Sequence, residues 1–125
     1  RKPPNALIKA KFVLENKIKL ENLNEPKLIF SDNALEGAKA FPANVNVAAA
    51  VGLAGIGAKK TQLEIWADPT LTKNTHTILV KSDSSNFKIE IENIQSVENP
   101  GTGKITALSV VATLRGMISS LKVGT

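Results

Sequence analysis

The chain has 125 residues, of which 42% are hydrophobic and 22% charged, with no cysteine and a formal net charge of +5. These figures fit one folded domain with its own core and exclude a disordered chain. They also exclude disulfides, thiolate nucleophiles and zinc–sulfur centres. No apolar run approaches the roughly 20 residues that span a bilayer, and a chain without cysteine suits a reducing cytoplasm.

In chain order, the opening RKPPN is basic, carries two prolines and reads as a linker. The chain starts at Arg1 and its single methionine is Met117, which suggests an excised domain with an upstream part missing. Lys17 to Glu21, KIKLE, alternates like a strand, and Pro26 separates it from the apolar run Leu28 to Phe30. Asn33 to Phe41 is a helix that Asp32 or Asn33 can cap and Pro42 ends. Asn44 to Ile56 is apolar on nearly every side, which predicts a buried helix with Asn44 as its cap. Asn46 would then need a partner for its amide, which a ligand can supply.

Gln62 to Ala67, QLEIWA, sets Leu63, Ile65 and Ala67 on one side of a strand. Strands 76–81 and 86–93 form an antiparallel hairpin across KSDSSN, with Phe87, Ile89 and Ile91 on the apolar face. NPGTG then makes a turn, with Thr102 a plausible cap for a last helix from Ile105 to Leu121. The sum is an α+β architecture: a mixed, largely antiparallel sheet with helices packed on one face, forming one domain over residues 1–125.

The lysines alternate with acids and aromatics are 4% of residues, so the positive charge describes a solvated face and no nucleic-acid partner is expected. GLAGIGAKKT, from Gly52 to Thr61, has the glycine spacing of a phosphate loop. Ala58 stands where its lysine must be, and a helix precedes it where a strand should. A helix C-terminus with Gly55 or Gly57 in a left-handed cap fits better. One histidine and no cysteine leave no metal site, and Glu36, Glu64, Glu90 and Glu92 read as surface residues. His76 is the only side chain whose ordinary pKa lies near neutrality. Strand parity groups it with Ile78 and Val80, after a polar loop holding Asp68, Lys73 and Asn74. It is either a base at the mouth of a crevice or a half-exposed strand-edge residue.

Three blocks, FPANVNVAAAVGLAGIG, ADPTLTKNTHTILV and ENPGTGKITALSVVATLR, together resemble the C-terminal domain of the L-aspartate dehydrogenases. RKPPNALIKAKFVLE and EPKLIFSDNALEGAKAFP are similar to that family too, so the resemblance covers essentially the whole chain. It implies a substrate and dimerisation domain that completes an active site over NAD or NADP, the nucleotide being held by an N-terminal Rossmann domain absent from this chain. It assigns the acid/base role to His76, within Asn74-Thr75-His76, and cofactor contact to Asn46. Asn74, Lys73 and the turn around Thr102 are the candidates for holding the substrate.

The implied reaction oxidises L-aspartate to iminoaspartate, which feeds NAD biosynthesis or hydrolyses to oxaloacetate and ammonia, in a cytoplasmic homodimer. The chain departs from the family pattern at Gly103, where serine is expected, and at Lys11, where proline is expected. The alternative is a non-catalytic binding or dimerisation module that has kept the fold.

Overall fold

A computed structural model describes residues 1–43, 45–94 and 103–120 of the chain. Its backbone is organised around one antiparallel pair, β1 (Lys27–Asn33) and β2 (Gln62–Ala67). The register runs from Lys27 opposite Ala67 to Asn33 opposite Gln62, with a bulge between Leu28 and Phe30. The bulged residue, Ile29, is buried. Along β2 the alternation is as the sequence predicts, with Ile65 and Ala67 buried and Gln62 and Glu64 exposed.

Against this pair sit α1 (Lys11–Glu15), α2 (Ala34–Ala40) and α3 (Asn46–Ala54), preceded by a 3₁₀ turn at Pro4–Ala6. The core gathers Leu7, Val13, Leu20, Ile29, Phe41, Val45, Ile65 and Ala67. Phe12, Phe30 and Phe41 form a triangle with ring centroids 5.1–5.6 Å apart, which adds edge-to-face attraction to their burial. Asn33 caps α2 by accepting from the Glu36 amide at 3.0 Å, and Pro42 follows directly after its end. A side chain at Gly37 would overlap Leu63, so glycine there lets α2 lie close on β2.

Three local expectations change. Residues 17–21 are not a strand: Lys17 closes α1 in the left-handed region at φ 52° and Asn22 turns again at φ 56°. The apolar helix α3 runs Asn46–Ala54, with Val45 at the cap position and no side-chain capping bond. Asn44 lies outside the described residues. Nor is α3 buried all round: Leu53 is 85% exposed, because α2 is the helix packed against it. The glycine-rich stretch after α3 does end the helix, with Gly57 at φ 91° donating its amide to the Gly52 carbonyl.

β3 (Thr75–Lys81) and β4 (Asn86–Glu92) form a second two-stranded sheet. The Ser82 amide donates to the Ser85 carbonyl at 3.0 Å, which closes the connection as an antiparallel hairpin. The fold is therefore α+β as expected, with its strands in two small sheets. The chain divides into two compact units, Arg1–Ile91 and Glu92–Thr125. In the second, the Lys104 amide donates to the Ile94 carbonyl, and α4 (Lys104–Ile118) follows a Gly103 cap. Thr102, the expected cap, lies outside the described residues. The apolar side chains of α4, among them Ile105, Leu108, Leu114 and Ile118, are exposed within this chain.

Candidate active site

The first two residues are not a linker but a short extended segment placed between β2 and β3. The Lys2 amide donates to the Trp66 carbonyl at 2.9 Å, and the Asp68 amide donates to the Lys2 carbonyl at 2.8 Å. This makes Lys2 a parallel partner of Ala67. On its other side, the Arg1 amino group donates to the Thr75 carbonyl at 2.8 Å, and the Thr75 amide donates back to the Arg1 carbonyl at 2.9 Å. Two residues that exchange both bonds are directly opposed in antiparallel fashion.

These pairings sort the side chains. Arg1, Trp66, Asp68 and Thr75 share one face. Lys2, Ala67, Asn74 and His76 share the other, because successive residues alternate.

The first face is a clamp. Asp68 is 2% exposed. Its carboxylate accepts from the Arg1 guanidinium at 3.0 Å and from the Thr70 amide and hydroxyl at 3.0 and 2.6 Å. The guanidinium also lies 5.7 Å from the centre of the Trp66 ring, within cation–π range. Asp68 is covered by these neighbours rather than by depth. The Thr70 hydroxyl, outweighing the cost of burial, holds its pKa below the ordinary carboxylate value, with the Thr70 amide and Arg1 adding to the effect. The sequence offered a signal for this turn in Asp68-Pro69-Thr70, the pattern of a side chain bonding its own backbone two residues on.

The second face holds the single histidine of the chain. His76 is half-buried, and along β3 Ile78 and Val80 are half-buried with it while Thr77 and Leu79 are exposed. Counting back from the Ser82–Ser85 pair sets Val80, Ile78 and His76 opposite Phe87, Ile89 and Ile91. The imidazole thus stands at the end of an apolar strip. Its pKa is lowered, first by burial and then by the positive charge of Lys2, which favours the neutral ring, the form that can accept a proton.

The acids of β2 and β4 point away from His76. Asp68 and Glu64 are on the clamp face, where the Trp66 indole donates to Glu64 at 2.9 Å. Glu90 and Glu92 alternate away from Phe87, Ile89 and Ile91, and Glu90 is paired with Lys88 at 3.1 Å.

Of the expected substrate residues, Asn74 is half-buried beside His76, and Lys73 is exposed in the preceding loop. Thr102 is outside the described residues. Asn46 is the exposed first residue of α3, and no hydrogen bond among the described residues joins it to His76. The structure therefore brings Lys73, Asn74 and His76 together along one stretch and leaves Asn46 on a different element. Among the described residues no group of histidines and carboxylates is arranged to hold a metal ion, and no helix is long and apolar enough to cross a membrane.

The structure is an α+β domain with a half-buried histidine beside Lys2 and Asn74. Comparison with known proteins is specific. The family described as "Aspartate dehydrogenase, C-terminal" matches residues 1–117, and the chain belongs to that family.

The chain is similar to the L-aspartate dehydrogenase of Bradyrhizobium diazoefficiens, at 53% identity over all 125 residues and 44% of that protein. It is 45% identical to the L-aspartate dehydrogenase of Methanosarcina acetivorans, again over its full length and 46% of the relative. Among solved structures it superposes on aspartate dehydrogenase from Thermotoga maritima with a TM-score of 0.73 and 29% identity, covering 98% of this chain and 43% of that one. The chain thus spans less than half the length of these relatives.

Proposed function

We propose that these residues form the substrate-binding and catalytic half of an NAD(P)-dependent L-aspartate dehydrogenase, with His76 as its acid/base. The observation that carries this reading is the half-buried imidazole of His76, whose pKa is held low by burial and by Lys2, with the acids of β2 and β4 turned to the other face. A base that works at neutral pH needs that state. Membership of the aspartate dehydrogenase C-terminal family supplies the reaction class.

On this reading the nicotinamide nucleotide is held by a Rossmann domain outside these residues. Asn46 fits a contact with it, because its side chain is exposed at the start of α3 and has no hydrogen-bond partner among the described residues. When bound, the nucleotide accepts a hydride from the substrate's α-carbon. His76 takes a proton from the substrate ammonium, which readies the nitrogen for imine formation. Asn74, with its amide beside the imidazole, orients the substrate, and Lys73 and Thr102 are further candidates for contacting it. The product is iminoaspartate, which then hydrolyses to oxaloacetate and ammonia or enters NAD biosynthesis.

The protein works as a homodimer on this reading, and the support is apolar surface left open within one chain. Phe87 is 49% and Ile89 43% exposed on the β4 face, although their spacing is that of a covered strand. The testing experiment follows nucleotide reduction by the intact protein with L-aspartate, L-glutamate, L-alanine and L-malate in turn. The reading expects turnover with L-aspartate well above the other three; an equal or greater rate with any of them overturns the substrate assignment.

A further inference from the structure

The lysine at the start of the chain has a position that its sequence context does not suggest. Its backbone is fixed on both sides by the hydrogen bonds to Trp66 and Asp68, so the direction of its side chain is set by strand alternation. With Arg1 directly opposite Thr75, Lys2 falls opposite Asn74 and diagonal to His76. Such diagonal neighbours lie about 7 Å apart between Cβ atoms, within reach of a long side chain.

Lys2 is half-buried, yet among the described residues its ammonium has no ion pair and no hydrogen bond. The other buried charge nearby is resolved: Asp68 takes Arg1 and both donors of Thr70, and it does so on the opposite face. Glu64, Glu90 and Glu92 also alternate away. What remains beside His76 is a cation without a counter-ion and an amide at Asn74, over an apolar strip. A desolvated ammonium is costly unless an anion completes it, and the partial burial of Lys2 accordingly lowers its own pKa.

We propose that Lys2 is the carboxylate anchor of this site, holding a carboxylate of the amino-acid substrate beside His76. The proposal rests on the reading of His76 given above. It also displaces Lys73 as the principal cation, because Lys73 is exposed in its loop and is screened by water.

The experiment compares the intact protein, with whatever sequence precedes Arg1 in place, with Lys2→Met, Lys2→Arg and Lys73→Met. Three quantities are read: KM for L-aspartate, KM for the nicotinamide nucleotide, and binding of succinate, a dicarboxylate without the amine, by calorimetry. Thermal melting shows which variants are folded. Lys2→Met is expected to raise the aspartate KM and weaken succinate binding on the order of 10- to 100-fold, the worth of one charge-assisted hydrogen bond. The nucleotide KM is expected to stay within twofold, Lys2→Arg to recover part of the loss, and Lys73→Met to cost less than Lys2→Met.

Unchanged aspartate KM and succinate affinity in a folded Lys2→Met protein would overturn the proposal. So would a rise in nucleotide KM alone, which would assign the cation to a phosphate, or a loss confined to Lys73→Met. If Lys2→Met fails to fold, Lys2→Arg carries the test, because a longer side chain ending in a planar guanidinium must shift succinate binding. Wild-type protein that binds succinate through Lys2 without oxidising L-aspartate would refute the dehydrogenase reading and leave the anchor standing.

Discussion

Arg1 and Thr75 exchange both of their backbone hydrogen bonds, at 2.8 and 2.9 Å, and this one pairing decides which side chains share a face with His76. It places Lys2 and Asn74 beside the imidazole and turns the Arg1 guanidinium to the other side, where Asp68 holds it at 3.0 Å. The geometry of the site therefore depends on a clamp that takes no part in its chemistry.

Breaking the clamp should cost stability and disturb the site together. Asp68→Ala leaves the guanidinium and the Thr70 donors without their acceptor. The expected loss is about 1–3 kcal/mol, near the lower end because Arg1 is half exposed. Urea unfolding checks this figure.

Asp68 also predicts a pH dependence of stability. Its folded pKa lies below the ordinary value of 3.8, so the unfolded chain binds the proton more readily. Its contribution is present above that ordinary value and is lost as pH falls through the lower, folded value. The drop in melting temperature over that acid range should be smaller in Asp68→Asn than in the parent.

For turnover the sign concerns His76. Burial and then Lys2 lower its pKa from 6.5, and a base must be unprotonated to act. The acid limb of the rate profile should therefore fall below pH 6.5, and Lys2→Met should move it upward toward the ordinary value. The kcat/KM–pH profiles of the two proteins, which report the free enzyme, measure that shift.

Gly57 tests the backbone where no contact is involved. Its φ of 91° is one that other residues rarely adopt, and a side chain there would meet no atom within 4 Å. Gly57→Ala should lower stability by about 1–2 kcal/mol through backbone strain alone, with kcat and KM unchanged. Denaturant midpoints and steady-state kinetics report the two halves of that statement.

The open strip on β4 makes a prediction about assembly. If Phe87 and Ile89 are covered by a second copy, Phe87→Asp should yield monomers without loss of the hairpin. Light scattering after size exclusion would show the change in mass, and circular dichroism would show the retained strands.

Much of this was legible in the chain. The alternation of Leu63, Ile65 and Ala67, the Asn33 cap, the Pro42 stop and the left-handed Gly57 each follow from local chemistry, and the structure has them where the pattern puts them. KIKLE misled because alternation over five residues is also produced by a loop whose Ile18 and Leu20 dip into the core. The composition of residues 44–56 predicts a helix buried on every side, but composition does not say which of its faces the rest of the chain covers, and Leu53 is 85% exposed. Lys2 was illegible for another reason: RKPP has the composition of a linker, and only long-range pairing with Trp66, Asp68 and Thr75 gives it a place. His76 was legible as a candidate because it is the only imidazole. Its separation from the acids of β2 and β4 and its cationic neighbour Lys2 came from the fold.

The central claim is that His76 moves the proton in aspartate oxidation. The most direct measurement is the steady-state rate of nucleotide reduction by intact His76→Ala at saturating L-aspartate, with succinate binding measured on the same preparation. The account predicts that kcat falls by about 10²- to 10⁴-fold, while succinate affinity stays within a few-fold of the parent. A His76→Ala protein that keeps its kcat within threefold would contradict it and leave His76 a strand-edge residue.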